Sequence, residues 1–347
     1  MNNLFKIKKL KFKRILVTGA TGSFGQAFIK YILDNFYDQV ERLVVYSRDE
    51  YKQYEMSQLI PVSKYPQIRY FIGDIRDESR LQQALNEIEL VVHAAALKQV
   101  PATEYNPFEC IKTNVLGAQN LINACLNNEV KQVIALSTDK AAAPINLYGA
   151  SKLCSDKLFV AANSLTGNKD LSFSVVRYGN VMMSRGSVIP FFLSEKGNGI
   201  LPITHPDMTR FNITLEQAVD LVLFSISNSI GGEIYVPKLP SYKILDLAEA
   251  IAPECTHRIV GIRAGEKIHE EMITSSDFHQ TYDFGSHYRI LPYNLSKSQA
   301  VMLREFGAKR VEDFFSYNSG KNDQWLSINA IKELINNELN SQSKPVG

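Results

Sequence analysis

The chain has 347 residues, with 38 Lys plus Arg against 36 Asp plus Glu and a formal net charge of +2 at pH 7. That length can bury a large core and suits two domains or one large α/β domain with an insertion, while the balanced charge argues against a nucleic-acid polymer or an anionic membrane as partner. Cys110, Cys125, Cys154 and Cys255 lack paired spacing and the six histidines lack ligand spacing, so reduced thiols and no metal are expected.

In chain order, Lys6 to Arg14 forms a short basic arm, expected to be a solvated lead-in. Its apolar residues are too few for a signal peptide, and no later run is long enough to span a bilayer, so a soluble, cytoplasmic protein is expected. Arg14-Ile15-Leu16-Val17-Thr18 reads as a strand running into Gly19-Ala20-Thr21-Gly22-Ser23-Phe24-Gly25, and Gln26 to Asn35 then shows helical periodicity. Strand, glycine turn and helix make a pyrophosphate seat, because the glycines admit the backbone and the helix start offers free amides and a positive dipole end. Gly19, Thr21, Gly22, Ser23, Phe24 and Gly25 are its candidate residues.

Arg42 to Tyr46 is the second strand, and Ser47-Arg48 stands at its end where many NAD enzymes place a ribose-binding acid. A serine hydroxyl and a guanidinium, with Lys52 behind them, suit a 2′-phosphate and favour NADP; Asp49, followed by Glu50, leaves NAD as the alternative. Ile68 to Ile72 is a third strand, with Asp74 and Ile75 at its exit as candidate cofactor contacts, and a helix is expected over Asp77 to Glu87. Leu90-Val91-Val92-His93 is a fourth strand, His93 reading as a packed core histidine. Ala94, Ala95 and Ala96 leave room there for a flat cofactor at the switch point of the sheet, and Lys98 follows. One long helix is expected over Phe108 to Asn127.

Gln132 to Leu136 reads as a buried strand, and Ser137-Thr138-Asp139-Lys140 follows it. Tyr148 and Lys152 are four apart on a helix, so they share a face. An ammonium beside a phenol favours the phenolate and lets the tyrosine exchange protons near neutral pH. Leu136 and Ser137 complete the candidate cofactor wall. The strand Phe173 to Tyr178 leads to Asn180 and Val181, and from Ser184-Arg185-Gly186 onward shorter elements mix with charged loops. Arg185, Arg210 and Arg263 suit a second diphosphate, or else surface ion pairs. The whole implies a doubly wound parallel α/β sheet over residues 13–180 and a smaller mixed α/β substrate-binding domain over 181–293, partly interleaved with it. Residues 294–347 form a C-terminal extension whose tail, from about 340, is polar enough to be disordered.

Together Thr18 to Gly25, Tyr46 to Glu50, Ala94 to Pro101, Ser137 to Lys152, Arg177 to Val181, Ser184 to Val188, Met208 to Phe211 and Gly265-Glu266-Lys267 resemble the extended short-chain dehydrogenase/reductases. Within that superfamily the chain is similar to the soluble, inverting UDP-N-acetylglucosamine 4,6-dehydratases that start pseudaminic acid synthesis. Ala20 and Ala143 stand where glycine and asparagine are more usual in that family, and Met182-Met183 replaces a smaller pair. The resemblance implies a Rossmann fold, UDP-N-acetylglucosamine as substrate, a homo-oligomer and a link to flagellin glycosylation. It also implies contacts to the substrate from Lys98, Lys140, Asn180, Val181, Ser184, Arg185, Thr204, Arg210, Arg263 and Glu266.

The residues carry a chemistry that fits. Losing water across carbons 5 and 6 of a hexose needs an acidified carbon 5 proton, which a ketone at carbon 4 provides. Tyr148 takes the carbon 4 hydroxyl proton, Lys152 holds Tyr148 ionised and contacts the ribose, and Thr138 hydrogen-bonds the carbon 4 oxygen. Asp139 and Lys140 are placed to supply an acid and a base. By resemblance Lys140 is the base and Asp139 the acid. A 4-epimerase or reductase of the same superfamily would share Tyr148 and Lys152 but has no use for Asp139-Lys140, and an NADP-binding regulator without catalysis has no use for the whole set.

Overall fold

The computed structural model describes residues 5–184 and 186–342. Its frame is one ten-stranded sheet. The apolar runs form β1 (Arg14–Thr18), β2 (Arg42–Ser47), β3 (Ile68–Ile72), β4 (Leu90–His93), β5 (Gln132–Thr138) and β6 (Ser172–Tyr178). The later strands are β7 (Asn180–Val181), β8 (Ile200–Ile203), β9 (Thr209–Ile213), β10 (Ile234–Pro237), β11 (Ser241–Lys243), β12 (Thr256–Ile259), β13 (Glu271–Ile273), β14 (Thr281–Asp283), β15 (His287–Ile290), β16 (Lys309–Arg310) and β17 (Tyr317–Asn318). The sheet order is β16-β14-β15-β10-β6-β5-β4-β1-β2-β3. Strands β10 through β3 in that order run parallel, and β15, β14 and β16 add an antiparallel edge. The inner parallel strands are buried almost throughout, as a sheet covered by helices on both faces requires. Chain direction across the sheet reverses between β1 and β4, which opens a crevice at their carboxyl ends.

Helix α1 (Ser23–Phe36) follows the glycine turn, α2 (Glu50–Leu59) follows β2, and α3 (Glu78–Ala84) follows β3. α3 is shorter than the pattern suggests, because Leu85 closes it and Glu87 takes a left-handed φ of 59°. The long helix expected over Phe108 to Asn127 is three pieces. After α4 (Val100–Tyr105), α5 (Pro107–Ile111) passes through a π-helical turn at Lys112–Leu116 into α6 (Gly117–Leu126). The π turn leaves the 3.6-residue apolar period nearly intact while re-aiming Asn114, so periodicity alone does not reveal it. α7 (Leu147–Ala162) starts at an Asn146 cap whose side chain accepts from Gly149 N at 2.8 Å.

Beyond β6 come α8 (Val188–Glu195), α9 (Leu215–Asn228), α10 (Ile244–Ile251), α11 (Lys297–Glu305) and α12 (Ile328–Gln342). A second, smaller core gathers Ile189, Phe192, Leu201, Ile203, Met208, Tyr242 and Leu247 around α8, β8 and α10. Residues 294–342 are distributed among both bodies and are not simply appended: β16 joins the main sheet, β17 pairs with β13, and Ile331 and Ile335 of α12 enter the second core. Residues 340–342, polar enough to suggest disorder, lie in α12, and 343–347 fall outside the described residues. The basic arm also departs from a solvated lead-in. Leu10 and Phe12 are buried, the Phe5 ring packs edge-on to Phe224 at 5.1 Å, and Leu10 N donates to Gln39 Oε1 at 2.9 Å. Apolar residues alternating with the lysines anchor this arm while the charges stay wet.

Candidate active site

A cleft of about 580 Å³ opens at the carboxyl ends of β1, β4 and β5, lined on one side by the glycine turn and on the other by the start of α7 and Gly179 to Ser184. Its fit to a dinucleotide rests on backbone geometry. Gly19 has φ +64°, and a Cβ there would lie 2.8 Å from Ala95 Cα, so this turn and the alanine exit of β4 approach as only glycine allows. Gly22 caps α1 with no side-chain hydrogen bond, leaving the first amides of the helix for an anionic group. Thr18 Oγ1 accepts from Ala94 N at 3.2 Å and Ala95 N at 3.3 Å and donates to His93 Nδ1 at 2.8 Å. Burial, reinforced by the charge of Lys152, pushes His93 down to about 3, so its ring stays neutral and keeps that acceptor.

The expected cofactor residues Gly19, Thr21, Gly22, Ser23, Phe24, Gly25, Ser47, Arg48, Asp49, Lys52, Asp74, Ile75, Ala94, Ala95, Lys98, Leu136, Ser137, Tyr148 and Lys152 all line this cleft; Glu50 does not. At the end of β2, Asp49 is committed elsewhere: its carboxylate caps α2 by accepting from Lys52 N at 3.0 Å and pairs with Lys52 Nζ at 3.0 Å. Arg48 beside it is exposed. Asp74 is likewise engaged. Burial alone would raise its carboxyl, but hydrogen bonds from Arg76, including one from NH2 at 2.7 Å, hold it below the usual range.

At the other wall, Thr138 Oγ1 donates to Asp139 Oδ1 at 2.9 Å and accepts from Lys140 N at 3.3 Å. Lys140 Nζ lies 3.1 Å from Asp139 Oδ1, 3.1 Å from Glu270 Oε1 and 3.4 Å from Asn180 Oδ1. Burial works against the Lys140 charge, yet the two carboxylates outweigh it and raise the amine above its ordinary value. Burial raises the Asp139 carboxyl, with the Lys140 charge only partly opposing. Burial also pushes Tyr148 up to about 12, against the charge of Lys140 and a hydrogen bond with Thr138. The groups that favour the phenolate are therefore Lys140 and Thr138, where the spacing pointed to Lys152. Lys152 itself is pushed down by burial and supported by Asp156, which accepts from Ser137 Oγ at 2.7 Å and pairs with Arg177 at 3.0 Å.

Asp139 is fully buried and sits behind the cleft wall, reaching it only through Thr138 and Lys140. Of the expected substrate residues, Lys98, Lys140, Asn180, Val181 and Ser184 line the cleft; Thr204, Arg210, Arg263 and Glu266 do not, and Arg185 lies outside the described residues. Arg210 is buried and turned toward Glu270, with Nε 3.7 Å from its carboxylate. Arg263 is exposed and pairs loosely with Glu266 at 3.9 Å. Their loop nevertheless packs on the site, since Asn146 Nδ2 donates to Gly265 O at 2.8 Å and Lys267 Nζ to Ala142 O at 2.6 Å.

Two residues escape the sequence reading. Asn114, aimed by the π turn, bonds both backbone groups of Leu97 at 2.8 Å and Ser151 Oγ at 2.9 Å, tying the Lys98 loop to α7. Glu270 sits in one of the charged loops of the later segment, of the kind that holds substrate over a sheet; its pairing with Lys140 exists only in three dimensions. Among the described residues no group of His, Cys, Asp and Glu has a metal-binding arrangement, and no helix is long and apolar enough to cross a membrane.

The family described as polysaccharide biosynthesis protein matches residues 15–292. A UDP-N-acetylglucosamine 4,6-dehydratase (inverting) from Campylobacter jejuni is 53% identical over 330 residues, covering 93% of this chain and 97% of the relative. A UDP-glucose 4-epimerase from Rickettsia felis is 40% identical over 331 residues, covering 94% and 96%. Among solved structures, Pen from Bacillus thuringiensis superposes with a TM-score of 0.84 at 33% identity, covering 96% of this chain and 99% of that one. The NAD-bound dTDP-glucose 4,6-dehydratase DesIV from Streptomyces venezuelae, at 21% identity and a TM-score of 0.68 over 96% and 100%, shares the fold.

Proposed function

This chain belongs to the polysaccharide biosynthesis protein family, and from that premise we propose that it works on a nucleotide sugar with a bound nicotinamide cofactor. The reaction converts UDP-N-acetylglucosamine to UDP-2-acetamido-2,6-dideoxy-β-L-arabino-hex-4-ulose, a hydro-lyase activity with inversion at carbon 5. The observation that carries the reading is the buried Asp139 lying 3.1 Å from Lys140, which lines the cleft together with Thr138 and Tyr148. An epimerase moves a hydride on and off carbon 4 and needs only the tyrosine, so the carboxylate and amine would be idle in it.

When bound, the nicotinamide supplies a reversible hydride sink, for carbon 4 at the start and carbon 6 at the end. Tyr148 takes the carbon 4 hydroxyl proton, helped by the Lys140 charge and by Thr138, which also holds the carbon 4 oxygen. Lys152, buttressed by Asp156, faces the ribose. Lys140 then removes the carbon 5 proton and Asp139 protonates the departing carbon 6 hydroxyl. These two roles are one tautomer of a single pair: moving one proton from Lys140 to Asp139 makes the amine a base and the carboxyl an acid together. The raised Asp139 carboxyl favours that transfer and the raised Lys140 amine opposes it. Asp139 delivers its proton through the Thr138 hydroxyl, since it has no surface on the cleft.

The cofactor we propose is NADP, a reading supported by Ser47, Arg48 and Lys52 lining the cleft beyond the end of β2 while Asp49 is spent on its helix cap. Lys98, Asn180, Val181 and Ser184, with Arg185, hold the sugar diphosphate, and Thr204, Arg263 and Glu266 belong to its outer uridine end. Family resemblance supports a cytoplasmic homo-oligomer at the head of pseudaminic acid synthesis for flagellin glycosylation. Turnover of UDP-N-acetylglucosamine in D2O tests the activity. Dehydration through the ketone places solvent deuterium at carbon 5; a product that keeps its original carbon 5 hydrogen would leave the epimerase reading standing.

A further inference from the structure

Glu270 is buried, lies 130 residues from Lys140 in sequence, and places Oε1 3.1 Å from the Lys140 amine while Oε2 has no partner among the described residues. A carboxylate in that setting is costly unless it serves a charge. Its backbone is fixed from both sides. Glu270 N donates to Ser319 Oγ at 2.9 Å, and Ser319 N donates to Glu270 O at 2.8 Å. Ser319 Oγ and Thr209 Oγ1 are bonded at 2.8 Å, so β9 and the segment after β17 converge on one residue. Arg210 approaches the carboxylate from β9 with Nε at 3.7 Å. It caps no helix, and its charge serves two cations, Lys140 at 3.1 Å and the buried Arg210 at 3.7 Å.

We propose that Glu270 is the positioning residue for Lys140, holding the amine in place and supplying the counter-charge for the ammonium that forms when the carbon 5 proton is removed. This rests on the dehydratase reading. In the step, the Lys140 amine takes the carbon 5 proton, the freed pair forms the carbon 5–carbon 6 double bond, and the carbon 6–oxygen bond breaks. The departing oxygen takes the Asp139 proton and leaves as water, so Lys140 ends as ammonium and Asp139 as carboxylate. Glu270 acts only on the lysine. It stabilises the charged amine as the proton arrives, and the Lys140, Arg210 and Lys267 charges outweigh its burial to keep it ionised.

The charged and titratable groups around Lys140 are Asp139 on its own segment, Glu270, Arg210 on β9, Lys267, Lys98, Tyr148 on α7 and Tyr242 on β11. Removing the Glu270 charge therefore leaves Asp139 as the remaining neighbouring carboxylate and lowers the amine's pKa. The Lys140–Asp139 pair works while it holds one proton, so kcat rises as the doubly protonated pair loses its first proton and falls as it loses the second, and removing the Glu270 charge must move both limbs to lower pH. The test compares kcat, KM and their pH profiles for wild type, Glu270→Gln and Glu270→Asp, with solvent deuterium entry at carbon 5 followed by NMR. Glu270→Gln is expected to cut kcat on the order of 10²-fold, leave KM for UDP-N-acetylglucosamine within about threefold, and shift the rising limb to lower pH. Glu270→Asp keeps the charge, so its limb stays at the wild-type pH even if kcat falls. An unmoved limb in Glu270→Gln overturns the inference. If Glu270→Gln does not fold, a Glu270→Asp limb displaced from wild type, or an unmoved limb with wild-type kcat, overturns it, and an unmoved limb with a lowered kcat supports it. Wild-type protein that turns UDP-N-acetylglucosamine into another product removes the dehydratase reading, and this inference with it; dehydration with an unaffected Glu270→Gln removes this inference alone.

Discussion

In the proposed mechanism Tyr148 and the Thr138-Asp139-Lys140 run decide the chemistry. Tyr148→Phe removes the group that starts the cycle, and turnover of UDP-N-acetylglucosamine should fall on the order of 10²–10⁴-fold; near-normal deuterium entry at carbon 5 in this variant would show that another group begins the reaction. Asp139→Asn keeps shape and removes the proton, so substrate binding measured by calorimetry should persist while dehydration stops. An exposed ion pair worth at most about 1 kcal/mol would instead leave turnover within a few-fold of normal. The residue identities of this cluster were legible because hydroxyl, carboxylate, amine and phenol are crowded within one strand exit and one helix turn. Their electrostatics were not. The four-residue spacing of Tyr148 and Lys152 suggested their mutual influence, but which charge reaches the phenol depends on Lys140 folding back between Asp139 and Glu270. Buried histidines add a pH dependence of stability. Burial holds His93 and His287 down near about 3 each against 6.5 unfolded, so their contribution is complete above pH 6.5 and is lost as pH falls toward 3. Chemical denaturation at pH 7 and pH 5 should show lower stability at pH 5, and a His93→Gln variant should show a smaller loss.

Among the elements, the start of α7 is the most constrained. A Cβ on Gly149 would overlap the Lys140 carbonyl oxygen, so helix and strand exit are pressed together there. Gly149→Ala should displace Lys140 at a cost of about 1–3 kcal/mol of overpacking and lower kcat roughly tenfold or more. The amount of nucleotide that co-purifies should not change, because the glycine turn lies across the cleft. Loss of nucleotide together with activity would mean a general collapse of the site. Strands and most helices were readable from apolar period and turn residues, β1 and its glycine turn most directly. The π turn at Lys112–Leu116 was hidden, since one inserted residue barely disturbs helical spacing while it turns Asn114 into the space between Leu97 and Ser151. Ala143 has φ 42°, a left-handed conformation that asparagine, the residue the family resemblance leads one to expect there, tolerates better.

Over the whole molecule, the parallel half of the sheet presents the cofactor cleft and the later segments close over it. Sequence gave the doubly wound half by its alternation of strand and helix. It did not show β10, β15, β14 and β16 extending the same sheet, because those strands are four residues or fewer and pair across long separations in the chain. Nor did it show that β9, β13 and β17 meet around Glu270. For the cofactor, denaturing the purified protein should release NADP, and Arg48→Ala should lower the amount retained; recovery of NAD alone would sink the 2′-phosphate reading of Ser47-Arg48. The central claim is dehydration with inversion, and the NMR spectrum of the product formed from UDP-N-acetylglucosamine tests it most directly. The account predicts a 4-keto-6-deoxy sugar with a methyl signal at carbon 6 and the L-arabino configuration at carbon 5. A 4-epimer that keeps its carbon 6 hydroxyl, or a 4-keto sugar with the original configuration at carbon 5, would contradict it.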